Sequence, residues 1–296
     1  MSRRGWLLFA AMCVIWGLPY LFIRVAVEHL NPGTVVFLRT SVAALLLLPL
    51  AAGRRMLRPV LPHWRPLVAF ALVEVAIPWL LLTDAERKLS SSLAGLLVAA
   101  VPLIGVGLAL LSRHGERLDG AQLAGLMVGL AGVVCLVGLD FGQLNLLAIA
   151  EMVVVSIGYA AGPVILARWL SQLPGLGVIA GAMSVSAVLL LPFIILRPPQ
   201  HVTGRAVGSI AVLAVVCTAL AFTLFFKLVA EIGPTRCTII TYVNPAVAVL
   251  LGVWLLHEQL TLGMLVGFPL ILVGSVLAAR AARQPADQEP ATVAAA

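Results

Sequence analysis

Three charged side chains lie deep inside apolar stretches that are long enough to cross a membrane. Glu74 lies near the middle of its stretch, Glu151 about a third of the way into another, and Arg39 about six residues into a third. A charge at the centre of a bilayer costs at least about 2.5 kcal/mol, so each of these groups needs a partner or a water-filled cavity. Glu74 and Glu151 are therefore candidates for proton coupling, and Arg39 is a candidate for holding a substrate carboxylate.

The same charges also allow a purely structural interpretation. By depth alone, Arg39 overlaps with Glu151 and Glu74, so a buried ion pair with either acid explains it as well as substrate binding does. Arg24 lies near the end of the first stretch. A long basic side chain in that position extends to the membrane surface, which is the interpretation we favour for Arg24.

Aromatic and amide side chains lie at similar depths. Trp16, Tyr20 and Arg24 follow one another at four-residue spacing and so share one helix face. That face either lines a cavity for an apolar or aromatic part of a substrate, or packs against another helix. Asn244 is equally open to substrate contact and to a hydrogen bond with a neighbouring helix. The full set of candidate cavity residues is Trp16, Tyr20, Arg39, Glu74, Trp79, Glu151, Tyr159, Tyr242 and Asn244.

The composition places these residues in an all-α integral membrane protein. Hydrophobic residues make up 62% of the 296 residues, charged residues only 10%, and the mean hydropathy is +1.11. A soluble domain is about 25% charged. The net charge of +7 does not indicate nucleic-acid binding, because the basic residues lie mainly in short loops and form no contiguous patch. The four cysteines form no CxxC or Cys/His cluster, so we expect neither a metal site nor a cofactor.

Apolar runs predict ten transmembrane helices. They cover about 6–27, 33–51, 66–83, 91–111, 120–139, 144–167, 177–196, 207–229, 236–256 and 262–280. Asp119 and Thr261 stand where helix N-caps are wanted. With the N-terminus inside, 13 basic residues fall on the cytoplasmic side and 4 on the other, so we expect both termini in the cytoplasm and the protein in the plasma or inner membrane.

The second half of the chain repeats the first. Pro245 follows Pro102 by 143 positions. Glu258, Gly267 and Gly274 follow Glu116, Gly125 and Gly132 by 142 positions. Because each copy holds five spans, an odd number, the copies must cross the membrane in opposite senses. The sequence therefore predicts two inverted five-helix repeats around a central cavity. The predicted units are residues 1–143, residues 144–281 and a disordered cytoplasmic tail, 282–296.

The repeated prolines and glutamates suggest different roles. A proline inside a helix removes a backbone hydrogen bond and kinks the helix, so Pro102 and Pro245 are candidate hinges, with a static packing kink as the alternative. Glu116 and Glu258 each precede a helix at the membrane surface. We expect these carboxylates to stabilise helix ends rather than to act in transport.

These motifs resemble the EamA-type transporters of the drug/metabolite transporter superfamily. The resemblance covers about residues 6–280 and rests on both copies of the proline, glutamate and glycine motif, on Arg39, and on Trp16-Gly17, Phe22 and Arg24. It implies that spans 1–4 and 6–9 surround the cavity, that spans 5 and 10 lie at the edge, and that the protein exports or exchanges small organic molecules. The second copy departs from the family pattern in one place, since His257 stands where glycine usually precedes the glutamate.

The expected function is secondary transport of a small organic metabolite by alternating access, with proton coupling as an option. Arg24 and Arg39 favour amino acids or other carboxylate-bearing metabolites. An uncoupled facilitator or channel-like exporter of the same fold is the alternative, and a membrane-embedded enzyme is a remote one, because the sequence holds no HExxH or GxSxG motif. The expected partners are the substrate and the lipid bilayer, and the expected state is a monomer or a homodimer.

Overall fold

The computed structural model describes residues 2–112, 120–138, 145–199, 202–233, 237 and 239–281. This part of the chain contains helices and turns and no strand. Eight helices are long and apolar enough to cross a membrane, namely α1 Arg3–Ala26, α2 Pro32–Gly53, α3 Leu61–Ala85, α4 Ser91–Leu108, α5 Gly120–Gly138, α6 Leu146–Leu170, α7 Gly175–Leu196 and α8 Gly204–Ile232. Two shorter apolar helices follow, α9 Ile240–Leu255 and α10 Leu262–Ala278. The predicted all-α membrane protein is therefore confirmed at the level of its class.

Side-chain caps determine where several helices begin. The Asn31 carboxamide oxygen accepts from the Thr34 amide at 2.9 Å at the start of α2, and Ser90 caps α4 in the same way. Thr261 caps α10 through the Met264 amide at 3.2 Å, as predicted. Each cap satisfies a backbone donor that would otherwise lie unpaired at a helix end. Asp119, Glu116 and the 282–296 tail lie outside the described residues.

The helices pack in pairs that each join one half of the chain to the other. α2 packs on α7, α4 on α9, and α5 on α10, while α3 packs on α6 and α1 on α8. One apolar core joins α1, α2, α3, α4, α6 and α8 with α5, α9 and α10, and a second core joins α2 and α3 with α7. Large apolar side chains such as Leu45 and Val188, each 70% exposed, lie on the outside. This outer surface is suited to lipid, which is as apolar as these side chains.

Glycines bring α5 and α10 into backbone contact. A Cβ atom on Gly125 would lie 2.5 Å from the Ala278 nitrogen, and one on Gly132 would lie 2.6 Å from the Ile271 nitrogen. In return, a Cβ on Gly267 would lie 2.6 Å from the Gly132 carbonyl oxygen. These glycines therefore serve internal helix packing, and any dimer would have to use another surface.

Several helices are interrupted near the middle of the molecule. α1 breaks between Ile15 and Leu18, and α4 breaks at Ala99–Ala100, shortly before Pro102. α3 and α8 widen into π-helix at Ala71–Ala76 and Val212–Leu220.

Pro102 thus accompanies a break, whereas Pro245 lies in an unbroken Ile240–Leu255 helix. Pro245 is the sixth residue of that helix, so its missing N–H removes one backbone hydrogen bond in the second turn while the helix continues. A hinge role for Pro102 and Pro245 stays a prediction.

We predict that Gly274→Ala lowers the stability of the protein by about 1–3 kcal/mol, because the new methyl group would collide with the α5 backbone at Gly129. Gly208→Ala is the matched control, since a Cβ at Gly208 on α8 would meet nothing within 4 Å. The control should be neutral or gain up to about 1 kcal/mol from better helix propensity. Thermal unfolding in detergent measures both variants, and equal melting temperatures would contradict the proposed backbone contact.

Candidate functional site

Arg39 is held between three helices with part of its guanidinium left unbound. Its guanidinium carbon lies 3.6 Å from the centre of the Trp79 ring on α3, and its Nε donates to the Thr218 hydroxyl on α8 at 3.0 Å. The side chain is only 5% exposed. A buried cation over an aromatic face is stabilised by the ring quadrupole without a counter-charge. In the described part of the chain, the two terminal nitrogens donate no hydrogen bond, so they are available for an anionic ligand.

The π-helical segment of α8 presents the hydroxyl that orients Arg39. Thr218 donates to the carbonyl of Leu213 at 2.8 Å, five residues earlier, and accepts from Arg39. Single turns of π-helix inside α-helices occur frequently at functional sites. Thr218 cannot be recognised from the sequence, because a threonine in an apolar run gives no sign that the backbone around it changes pitch.

Aromatic side chains from three helices surround the Arg39 guanidinium. Tyr20 on α1 and Trp79 on α3 are 6% and 7% exposed, and Tyr159 on α6 is half-buried. Both tyrosines interact electrostatically with Arg39. The structure thus brings together four of the predicted site residues, which we call the Arg39 cluster: Tyr20, Arg39, Trp79 and Tyr159. A site of this composition can hold an anionic group next to an aromatic or apolar one.

Trp16 and Asn244 lie in contacts between helices instead. The Trp16 ring packs against Phe222 and Phe225 of α8 at centroid distances of 5.8 and 4.8 Å. The amide nitrogen of Asn244 donates to the carbonyls of Ile240 and Cys13, at 3.0 and 3.2 Å, in the orientation that satisfies the group. Asn244 therefore joins α9 to α1, which is the structural one of its two expected roles.

Tyr242 is half-buried on α9.

A cleft of about 490 Å³ lies further along α9, lined by apolar side chains together with His257. Trp254, which lines the cleft, is 77% exposed. None of the predicted cavity residues lines this cleft, so we assign it to the lipid-facing surface rather than to the candidate site.

Glu74 is packed directly against a glycine of α6. It lies in the π-helical segment of α3, and its Oε2 is buried without a hydrogen-bond partner in the described residues. A Cβ atom on Gly162 would overlap this carboxylate, so glycine is needed there for Glu74 to fit. Tyr159, one turn before Gly162, interacts electrostatically with Glu74 and so connects it to the Arg39 cluster.

Glu151 is bound to a lysine and not to Arg39. The Lys88 ammonium donates to both Glu151 carboxylate oxygens, at 3.0 and 3.2 Å, and also to Asp84. Burial alone would lower the pKa of Lys88, but its hydrogen bonds to the two acids outweigh that effect and raise it. The expected ion pair of Arg39 with Glu151 or Glu74 is therefore wrong. Depth alone misled here, because Lys88 follows α3 in the chain and reaches Glu151 near the start of α6.

Glu86 is a buried acid that is not among the residues predicted from the sequence. It directly follows α3, is 0% exposed, and neither carboxylate oxygen has a hydrogen-bond partner in the described residues. Arg24 donates to the backbone carbonyl of Glu86 at 2.6 Å, so Arg24 does not simply extend to the surface as expected. The stretch Asp84–Lys88 holds four charged residues and resembles an ordinary solvated loop. Nothing in that pattern distinguishes the one acid that turns inwards.

Glu258 stabilises the start of α4 across the two halves of the chain. Its carboxylate accepts from the Ser91 and Ser92 amides at 2.8 and 2.9 Å, and from the Ser92 hydroxyl. The expected helix-end role is thus observed, but it acts on α4 rather than on the following α10. The preceding His257 has a φ of 55°, a left-handed conformation that glycine adopts without strain. This conformation explains why the family pattern has glycine there.

We predict that His257→Gly stabilises the protein by up to about 1 kcal/mol, because it removes the strain of a side chain at positive φ. His257→Val should be destabilising, since a β-branched residue tolerates this conformation poorly. Arg55→Gly is the matched control, because Arg55 has nearly the same left-handed backbone conformation as His257, with a φ of 56°, and lies in an exposed turn. The measurement is thermal unfolding in detergent, and a lower melting temperature for His257→Gly would contradict the assigned backbone conformation.

The chain is similar to several bacterial proteins, some of which are named as transporters. It is 31% identical over 280 residues to the "Uncharacterized inner membrane transporter YedA" of Escherichia coli (strain K12), covering 89% of this chain and 88% of the relative. It is 23% identical to the "Uncharacterized transporter YvbV" of Bacillus subtilis (strain 168), covering 93% and 92%. It is also 24% identical to "Protein PecM" of Dickeya dadantii (strain 3937), covering 91% and 90%.

A solved crystal structure shares the fold. It superposes with a TM-score of 0.67 at 20% sequence identity, covering 96% of this chain and 99% of the other. The model of the EamA-like transporter family matches the sequence twice, over residues 3–138 and again over residues 146–280. Both copies of the motif that carried the resemblance fall within these two matches. The chain therefore belongs to the EamA-like transporter family.

Proposed function

We propose that this membrane protein is a secondary transporter that exports or exchanges a small organic metabolite bearing a carboxylate, such as an amino acid, by alternating access. The observation that carries the proposal is the Arg39 cluster. Arg39 presents unbonded guanidinium nitrogens among Tyr20, Trp79 and Tyr159, and these side chains come from both halves of the chain. A planar guanidinium held on one edge by Thr218 can bind a carboxylate through the nitrogens that remain.

We further propose that the protein has ten spans in two inverted five-helix repeats, 1–143 and 144–281. The separate family match to each half supports this arrangement. Helix pairing supports it too, because α2–α7, α4–α9 and α5–α10 each join a helix to the helix five places later. The π-helical segments of α3 and α8 also occupy corresponding places. Shifting Ala71–Ala76 by the 143-residue repeat brings it inside Val212–Leu220.

Equivalent aromatic contacts recur at the same shift and support the repeat further. Trp16 packs on Phe222, and the residues 143 positions away in each direction, Tyr159 and Trp79, also interact with each other. We place both termini in the cytoplasm on the basis of the loop charges, which puts Glu86 and Glu258 at the outer side of the plasma or inner membrane. The monomer or homodimer expectation stays open.

Proton coupling, if present, would be better served by Glu74 than by Glu151. Glu74 has a carboxylate oxygen without a hydrogen-bond partner in the described residues and lies beside Tyr159 of the Arg39 cluster. Glu151 is satisfied by Lys88, which favours a structural role. An uncoupled facilitator of the same fold is the second candidate, since the Arg39 cluster would serve it equally well. A membrane-embedded enzyme is the remote alternative.

We predict that Arg39→Lys weakens substrate binding about tenfold or more, because lysine keeps the charge but loses the planar fork and the stacking on Trp79. A screen of carboxylate-bearing metabolites for a rise in melting temperature identifies a ligand, and its uptake into proteoliposomes gives KM and maximal rate. Arg65→Lys is the matched control, since Arg65 also lies over a tryptophan ring but is exposed. If Arg39→Lys transports like the wild type, Arg39 is not the binding residue; if no solute moves at all, the transport proposal fails.

We predict that Glu74→Gln abolishes uphill transport driven by an imposed pH gradient while leaving exchange of the same solute intact. Gln is close in size to Glu but cannot carry a proton. Glu151→Gln should retain gradient-driven transport but lower the melting temperature, because it leaves Lys88 with a weaker partner. The comparison uses the identified ligand in proteoliposomes. Full gradient-driven accumulation by Glu74→Gln would show that Glu74 carries no proton.

A further inference from the structure

We infer that Glu86 is a proton-binding site of the transport cycle, occupied while the outer end of the protein is closed around it. This inference rests on the proposed transport function and extends it to a residue outside the Arg39 cluster. Glu86 is fully buried, and both of its carboxylate oxygens lack a hydrogen-bond donor in the part of the chain that the structure describes. An ionised carboxylate in that position would lose its hydration without replacement, which is far more costly than burying the neutral acid.

Charged and titratable groups from several elements face Glu86. Arg24 and Tyr20 come from α1, Arg39 from α2, Tyr159 from α6, and Glu258 from the segment before α10. Burial is the largest influence and raises the pKa of Glu86 well above its usual range, and the negative charge of Glu258 adds to this. Arg24 and Arg39 act in the opposite direction, but neither side chain donates a hydrogen bond to the Glu86 carboxylate.

Glu86 and Glu258 are an unequal pair of carboxylates. Glu258 accepts three hydrogen bonds at the N-terminal end of α4. Glu86 accepts none at its carboxylate from any residue that the structure describes. When two interacting acids share a single proton, the proton resides on the one whose charge is less well stabilised. That acid is Glu86.

The position of Glu86 links its proton to closure of the outer end. Ser91 and Ser92 lie a few residues beyond Glu86 in the first half, and their bonds to Glu258 connect the two halves next to it. When the outer end opens, water reaches Glu86 and its carboxylate can ionise. Closing again would bury an unpaired negative charge unless a proton is taken up first. The energetic cost therefore makes outer closure conditional on proton uptake from outside, as an exporter that exchanges substrate for protons requires.

The first test is the pH dependence of unfolding for the wild type, Glu86→Gln and Glu74→Gln. Because the folded-state pKa of Glu86 is raised, the stability that its proton permits is complete at low pH and is lost as the pH rises through that pKa. A single such proton changes the folding equilibrium by about tenfold per pH unit across this range. Glu86→Gln should lose the part of this pH dependence that Glu86 contributes, while Glu74→Gln should keep that part. Equal slopes for the wild type and Glu86→Gln would overturn the inference.

The second test does not require the Glu86 variant to fold. Infrared spectroscopy of the Glu74→Gln protein at neutral pH should show the carbonyl band of a protonated, slowly exchanging carboxyl group, since Glu74, the other acid with a buried unpartnered oxygen among the described residues, has been removed. Absence of the band would overturn the inference. Neither test uses a substrate. Failure here with normal solute flux therefore removes the Glu86 proton site but leaves the transporter, whereas absence of flux removes the proposed function on its own evidence.

Discussion

A buried charge in this protein must be stabilised by something stronger than its apolar surroundings, and the arrangement of the interior follows from how that need is met. Arg39 is stabilised by a tryptophan ring and a hydroxyl group. Glu258 is stabilised by backbone amides, and Glu151 by an ammonium group. Of these three groups, only Arg39 retains N–H donors that are available to a ligand. Glu74 and Glu86 have no comparable partner in the described residues, so protonation is the way left to lower the cost of burying them.

The sequence was sufficient to predict the class of fold and much of the site. Hydropathy and the repeated motif predicted the apolar helices, because a segment in lipid must satisfy its own backbone and therefore has few alternatives to a helix. Arg39, Tyr20, Trp79 and Tyr159 were recognised for their polarity or size at depth, and they do lie together. The position of Thr261 before an apolar run was also enough to predict its cap.

The sequence could not predict which charged residues pair with each other or where the helical backbone becomes irregular. The pairing of Glu151 with Lys88 depends on how a loop folds back, and depth along a helix carries no information about that. Thr218 owes its position to a change of helical pitch in α8, and Glu86 owes its burial to packing by α1 and by the segment before α10. Such features arise from contacts between residues far apart in the chain. Only the left-handed turn at His257 was indicated by the sequence, because His257 stands at a position that usually holds glycine.

The glycine crossing of α5 and α10 has a mechanical consequence. Gly125, Gly132, Gly267 and Gly274 interlock backbone with backbone, with no side chain between them that could change rotamer. If α5 turned about its own axis by one residue, about 100°, Leu126 or Val133 would replace a glycine at the point of contact and force the helices apart. The crossing therefore resists rotation of α5 against α10 and keeps a single set of contacts. In the proposed alternating-access cycle, the moving parts are therefore the other helices, with α5 and α10 as a rigid brace.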